Sequence, residues 1–335
     1  MLFIYLVFIC IISLWGIRFS TEDDYLSKER CNSIKGVFIL LIFLTHSLQY
    51  IKASGYVFSG IDNITQVILK FIGQLVVVMF LFYSGYGVAL QVNRKGEQYV
   101  RKMPQHRILK TLLNFDIAVC FFILLALLLS RPLSIDQVLL SFLAWDSVGN
   151  SNWYIFIILL CYIFTYFANS VGSHYAGWLI LGVCIIAMFV LSYVKGTWWY
   201  DTILAYPAGY LYANYRQQIE PVLKRYFFII LFILVCFFLF THGHGPYLRG
   251  LRPNLTAVAF ALIVVMLTMK IQVGNSWLQW FGTNLFPLYI YQRLPMIALQ
   301  ATVGDNSLSH YPIIYLIICL LITCLIARYY KYWSV

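Results

Sequence analysis

The sequence predicts an all-α polytopic membrane protein with about ten to eleven transmembrane helices. Of its 335 residues, 62% are hydrophobic and only 10% are charged, whereas a soluble domain is about half apolar and about a quarter charged. The mean hydropathy is +0.81. Apolar runs that approach the length needed to cross a hydrocarbon core, about 20 residues, follow one another along the whole chain. These observations exclude the soluble globular classes.

Eleven apolar segments are candidate spans, and no Pro-rich, acidic or low-complexity stretch divides them into separate modules. We therefore treat residues 1–335 as a single transmembrane domain. The first segment lacks a positive n-region and a small-residue cleavage site, which predicts a retained anchor helix. The predicted spans are residues 1–19, 35–51, 67–91, 111–130, 152–170, 176–194, 198–213, 227–241, 254–270, 282–300 and 311–329.

The distribution of Lys and Arg predicts the orientation in the membrane. The charge, cysteine and histidine patterns give no indication of a nucleic-acid partner or a metal site. Most of the 23 Lys and Arg residues lie in odd-numbered loops and the C-terminal tail, and cytoplasmic loops collect such residues. This predicts the N-terminus outside and the C-terminus in the cytoplasm, and it accounts for the net charge of +11 without nucleic acid. The eight cysteines form no CxxC pair. His242 and His244 have no third ligand nearby, so no metal site is predicted.

An ionisable pair marks the second predicted span. Lys35 opens this segment and His46 follows eleven residues later, so an α-helix would place both side chains on one face, about 16 Å apart. Ionisable residues inside a membrane are costly and usually face a cavity or a partner. A neutral imidazole accepts a proton from a hydroxyl, which makes His46 a candidate general base. The structural alternative is a histidine hydrogen-bonded between helices, with Lys35 as a topology signal.

Two segments near the predicted cytoplasmic side carry further candidates. Residues 80–87 place Ser84 and Tyr86 among glycines, where the hydroxyls can supply hydrogen bonds, or where the segment is simply a helix-packing notch. Residues 101–110 cluster cations that include Arg107 and Lys110. Such a cluster suits phosphate-bearing ligands or anionic lipid, and a topology signal is the simpler alternative.

The predicted outward segments combine polar residues with aromatic rings. Asp146, Trp153 and Asp201 lie in such segments. The combination suits a carbohydrate surface, or alternatively the aromatic belt of a membrane interface. Arg293 falls within the tenth predicted span, where it needs an acidic partner or an aqueous path unless its side chain reaches the interface.

Short motifs recur in a fixed order along the chain. A basic residue, ten intervening residues and a histidine are represented by Lys35 and His46, and further motifs lie at residues 81–86, 107, 152–154, 206–210 and 281–291. Their order and spacing resemble the acyltransferase 3 family of integral membrane acyltransferases, particularly its sugar O-acetylase branch, over residues 28–300. Lys35 stands where that family usually has Arg, and Gln292 stands where it often has a second histidine.

The resemblance implies a membrane O-acyltransferase that moves an acyl group, most simply acetyl, from cytoplasmic acyl-CoA to a hydroxyl of a cell-surface or lipid-linked glycan. Acetyl-CoA or another acyl-CoA would be the co-substrate, with no metal. His46 would act as general base or acyl carrier, and Ser84 would donate a hydrogen bond to the thioester oxygen. The implied acyl-CoA-binding residues are Lys35, Tyr86, Arg107 and Lys110, and the implied acceptor-binding residues are Asp146, Trp153, Asp201 and Arg293.

Two other functions fit the same polar residues. A transporter or flippase would use His46, Arg293 and the basic segment to bind a moving anion, although the sequence shows no internal repeat of the kind found in many transporters. A non-catalytic component of a polysaccharide export system is the second alternative, because Gln292 replaces a histidine. The resemblance also implies a multi-pass protein of a cell membrane, of bacterial cytoplasmic type. Its partners would be membrane lipids, and a second copy of the chain or proteins of polysaccharide synthesis are further candidates.

Overall fold

The computed structural model describes residues 2–19, 24–172, 175–243 and 247–335, and these are overwhelmingly helical. Within these ranges, the strands β1 (Arg18–Phe19) and β2 (Ile271–Gln272) pair antiparallel in one small sheet. The predicted all-α class is confirmed. The helices are α1 (Phe3–Leu14), α2 (Lys28–Ala53), α3 (Ile61–Ile72), α4 (Val78–Lys95), α5 (Glu97–Met103), α6 (Lys110–Leu128), α7 (Ile135–Ser141), α8 (Trp153–Val171), α9 (Ala176–Val194), α10 (Ala205–Arg225), α11 (Phe227–Thr241), α12 (Leu251–Thr268), α13 (Ser276–Thr283), α14 (Leu285–Tyr291), α15 (Arg293–His310) and α16 (Pro312–Tyr329).

Seven helical segments of the described chain are long and apolar enough to cross a membrane, and the bent pair of α10 and α11 would make an eighth. Their distribution along the chain confirms a polytopic membrane protein. The predicted orientation of the termini stays a prediction. The seven segments are Lys28–Ala53, Ile61–Lys95, Glu97–Leu128, Trp153–Val171, Ala176–Val194, Leu248–Thr268 and Pro312–Tyr332.

This number is smaller than the ten to eleven spans predicted, and three regions account for the difference. Helix α1 has only 12 residues, about 18 Å of rise, against a hydrocarbon core of about 30 Å. The predicted seventh and eighth spans form the pair α10 and α11, which is bent by 100°. The predicted tenth span is divided between α14 and α15 at Gln292, and Gly304 then interrupts α15 with a positive φ.

The burial of the long segments distinguishes a centre from a periphery. In the most apolar window of α2, 61% of the residues are buried, and the window in Ile61–Lys95 reaches 56%, whereas the windows of α9 and α16 reach 28%. Large apolar side chains on these outer helices are exposed, which is expected where a helix faces lipid rather than protein. Helices α2 and α4 therefore form the protein-surrounded centre, and they carry four of the ten predicted site residues, Lys35, His46, Ser84 and Tyr86.

Glycines bring the two central helices into backbone contact with their neighbours. A Cβ added at Gly282 of α13 would lie 2.6 Å from the carbonyl carbon of Asn32 in α2, and Gly36 of α2 approaches the backbone of α13 in the same way. Gly85 of α4 and Gly209 of α10 form an equivalent reciprocal crossing. Small residues permit such close approach between membrane helices. These two crossings fix the positions of α2 and α4 relative to the rest of the bundle.

Candidate active site

A cavity of about 1020 Å³ lies at the N-terminal end of α2, where α4, α5 and the following turn form its other walls. We call it the basic cavity. Among the described residues that line it, none is acidic. A concave surface lined by one sign of charge concentrates ligands of the opposite sign. The basic side chains on its wall are Lys28, Lys35, Lys95, Lys102, His106 and Arg107.

A distortion of the helix after α5 places Arg107 in the wall. Residues Pro104–Leu109 form a π-helical turn between α5 and α6, because the proline ring has no amide hydrogen and disrupts the regular helical ladder. The Arg107 Nε donates a hydrogen bond to the Tyr99 hydroxyl at 3.0 Å, and the guanidinium lies 6.0 Å from the centre of the Tyr162 ring. These two contacts hold the side chain while leaving it on the cavity wall.

Helix α4 contributes Ser84 and Tyr86 to the same cavity. The Tyr86 hydroxyl accepts a hydrogen bond of 2.9 Å from Arg216 in α10, and the Arg216 Nε donates to Glu220 at 2.8 Å. Tyr86 is therefore anchored from outside the cavity by the α4–α10 crossing. Ser84 lies beside the hydroxyl of Tyr154 in α8.

A second cavity of about 420 Å³ lies toward the other end of α2 and contains His46. We call it the His46 cavity. Its walls include Trp153 at the start of α8, the 3₁₀ segment Gly73–Val77, and Arg293 at the start of α15. The Arg293 Nε donates to the Tyr50 hydroxyl at 3.0 Å. Of the described residues that line this cavity, Arg293 is the one that carries a permanent charge, so both cavities favour negative ligands.

Three aromatic side chains separate the two cavities. Phe80 lines the basic cavity and Tyr289 lines the His46 cavity. Tyr154 lies between them, with its ring centre 6.1 Å from that of Phe80 and 5.2 Å from that of Tyr289. The His46 ring lies 6.5 Å from Tyr289. We call Phe80, Tyr154 and Tyr289 the aromatic layer. Because of it, Lys35 and His46 face different cavities although they lie on one helix.

Comparison with known proteins identifies one family. The family described as an acyltransferase domain matches residues 30–328, which is most of the chain. The chain belongs to the acyltransferase 3 family. No match was found among the curated proteins or the solved structures with which it was compared. The predicted family membership is confirmed, and together with the apolar helices it makes the protein a multi-pass membrane acyltransferase. The match ends in α16, beyond residue 300 where the resemblance noted in the sequence ended.

The structure of this acyltransferase 3 chain brings most, but not all, of the predicted site residues together. Lys35, Ser84, Tyr86 and Arg107 share the basic cavity, and His46, Trp153 and Arg293 share the His46 cavity. Three predicted residues, Lys110, Asp146 and Asp201, lie elsewhere. Lys110 is exposed at the start of α6 and is not on the wall of the basic cavity. Asp146 is exposed and accepts a hydrogen bond from the backbone of Ser147 at 2.7 Å, so in this structure it shapes the loop before α8.

Asp201 lies in a third cavity, of about 200 Å³, which adjoins the His46 cavity because Gly73 and Gln74 line both. The carboxyl of Asp201 accepts a hydrogen bond from the Tyr247 hydroxyl. Burial raises the pKa of Asp201 to about 6, although the Tyr247 hydroxyl and the nearby Arg252 guanidinium lower it. Asp201, which was predicted to bind the acceptor, therefore lies outside the His46 cavity.

Four residues of the site were not singled out in the sequence, Tyr99, Tyr154, Arg216 and Tyr289. Tyr99 and Arg216, which hold Arg107 and Tyr86, lie in polar helical stretches without a motif. Tyr289 belongs to the closing motif at residues 281–291, and that motif was the available signal. His244 lies outside the described residues, and no group of three potential metal ligands occurs in the described part of the chain.

Proposed function

We propose that this protein transfers an acyl group, most simply acetyl, from acyl-CoA to a hydroxyl of a cell-surface or lipid-linked glycan in a bacterial cytoplasmic membrane. The basic cavity is the observation on which the donor half of the proposal rests. Coenzyme A carries several phosphate groups, and lysine and arginine bind phosphate as point charges and paired donors respectively. Lys35 and Arg107 are the proposed phosphate ligands, with Tyr86 on the same wall.

The His46 cavity is the proposed acceptor site. It combines the Trp153 ring with the polar side chains of residues 150–152 and with Arg293. Aromatic faces beside amide and hydroxyl groups suit a sugar ring, which has apolar faces and polar edges. The location of His46 within this cavity supports a direct role at the acceptor hydroxyl.

The proposed reaction requires the acyl group to pass the aromatic layer. The thioester end of the coenzyme would reach the layer from the basic cavity, beside Ser84, whose hydroxyl would donate a hydrogen bond to the developing oxyanion. His46 would accept the proton of the sugar hydroxyl as the new ester bond forms, or would carry the acyl group before that step. In both versions the carbon–sulfur bond breaks, and coenzyme A leaves on the donor side as a thiolate that takes up a proton from water. The proton removed from the sugar hydroxyl would pass from the His46 imidazolium to water on the acceptor side.

Radiolabelled acetyl-CoA tests the proposal. Membranes that contain the wild-type protein should incorporate label into glycan or lipid-linked sugar fractions, and His46→Ala should abolish the incorporation at matched expression. His310→Ala is the control, since His310 is exposed at the end of α15 and lines neither cavity. Equal labelling by wild type and His46→Ala would remove His46 from the chemistry. The absence of labelling from every acyl-CoA tried would refute the proposed activity and favour a transporter or a non-catalytic component.

A further inference from the structure

Gln292 carries an unused hydrogen-bond acceptor in the interior of the protein. The residue lies between α14 and α15 and is 1% exposed. Its side-chain Nε2 donates to the backbone oxygen of Tyr289 at 3.1 Å. This bond fixes which end of the amide is nitrogen, so Oε1 points the other way. The Oε1 atom is buried and makes no hydrogen bond within the described chain, which is unfavourable for a buried acceptor.

The matching donor is on His46. Its Nδ1 atom is also buried and makes no hydrogen bond within the described chain, and the Gln292 side chain lies against the imidazole. Two further polar groups lie near this ring, Arg293 and Tyr289. A guanidinium has donors and no acceptor, and the Tyr289 ring centre is 6.5 Å away. Gln292 is therefore the neighbouring side chain best placed to accept a proton from Nδ1.

We infer that Gln292 is a positioning residue that holds the His46 imidazole with its proton on Nδ1 and the free electron pair of Nε2 directed into the His46 cavity. The inference rests on the proposed function, because that tautomer is the one that can take a proton from an acceptor hydroxyl in the cavity. Which ring nitrogen of a histidine carries the proton is set by the hydrogen bond that the other nitrogen makes. A glutamine amide performs this task as well as a carboxylate and adds no charge beside Arg293.

Transfer kinetics of purified protein, with acetyl-CoA as the donor, provide one test. Gln292→Leu should lower kcat by about 100-fold, the loss expected when a reacting group is slightly misplaced, and should leave the KM for acetyl-CoA unchanged because the basic cavity lies beyond the aromatic layer. Gln292→Glu retains an acceptor and should recover most of the rate. Its negative charge favours the protonated imidazole, so the acidic limb of the rate profile should move to higher pH. Gln300→Leu, further along α15 and on the wall of neither cavity, is the matched control with unchanged kinetics.

Nitrogen NMR of protein labelled at its six histidines provides a second test that needs no activity. The signal that disappears in His46→Ala should show a neutral ring protonated at Nδ1, and Gln292→Leu should convert it into a mixture of tautomers. A wild-type ring protonated at Nε2 would overturn the inference whether or not transfer is observed. Equal rate losses in Gln292→Leu and Gln292→Glu without a shift of the pH limb would also overturn it. Failure of acetyl transfer with the expected tautomer would instead count against the proposed function.

Discussion

Replacement of Gly282 by alanine tests whether the close crossing of α2 and α13 holds the site together. The added Cβ would lie 2.6 Å from the carbonyl carbon and 2.9 Å from the Cα of Asn32, whereas ordinary contacts are 3.4–4 Å. Backbone atoms cannot rotate away as a side chain can, so the two helices would have to separate. Overpacking of this kind costs about 1–3 kcal/mol, and the higher helix propensity of alanine returns up to about 1 kcal/mol. Because the clash is with backbone at such short distances, we take the upper end of this cost and expect a net loss of about 2 kcal/mol.

The assay is thermal unfolding of purified protein in detergent, with Gly182→Ala as the control. Gly182 is a helical glycine in α9 with no atom within 4 Å of an added Cβ, so this variant should be as stable as the wild type or slightly more stable. Gly282→Ala should also bind acetyl-CoA more weakly, because Asn32 and Lys35 line the basic cavity on the displaced helix. If Gly282→Ala matched Gly182→Ala in both stability and binding, the close crossing would not be a constraint.

Three further predictions concern single side chains. Lys35→Met should raise the Kd for acetyl-CoA about tenfold, the loss of one charge-assisted hydrogen bond, and Lys35→Arg should restore it, as measured by calorimetry. The raised pKa of Asp201, about 6 against an ordinary 3.8, means that its stabilising contribution is full below pH 4 and is lost as the pH rises through 6. The melting temperature of the wild type should therefore fall from pH 5 to 7 relative to Asp201→Asn, and parallel curves would contradict this. Asn254→Leu should destabilise the protein by about 3 kcal/mol, because the buried Asn254 amide donates to two backbone oxygens and accepts from one backbone nitrogen; unfolding in denaturant measures this.

The fold class could be predicted from the sequence because long apolar segments can be stable only in lipid or in a large core. The number of spans could not be predicted, because the length of an apolar segment does not show where a helix breaks. The break at Gln292 and the 100° bend between α10 and α11 both lie inside or between segments of ordinary apolar composition. Tertiary packing decides such breaks, and single-sequence periodicity describes only one helix at a time.

Candidate site residues could be predicted from the sequence where a segment has an unusual residue for its surroundings. An ionisable residue in an apolar helix is conspicuous, which is why Lys35 and His46 stood out. Their separation into two cavities could not be predicted, because helix periodicity gives the face of α2 but not the neighbours that pack on it. The residues that divide the cavities, Tyr154 and Tyr289, are tyrosines in a chain that contains 26 of them. Amino-acid composition therefore does not distinguish these two tyrosines from the others.

The aromatic layer has a consequence for the energetics of the membrane. The basic cavity and the His46 cavity approach each other from opposite ends of α2. If they were joined and open to water on both sides of the membrane, they would form a path along which protons and ions leak down their gradients. Phe80, Tyr154 and Tyr289 close that path with rings rather than with charges. Under the proposed function, a small uncharged acyl group would pass this layer while the membrane stays electrically insulated. Opening a gap in the aromatic layer, as Tyr154→Ala would, should allow the protein to carry an ion current across a planar bilayer.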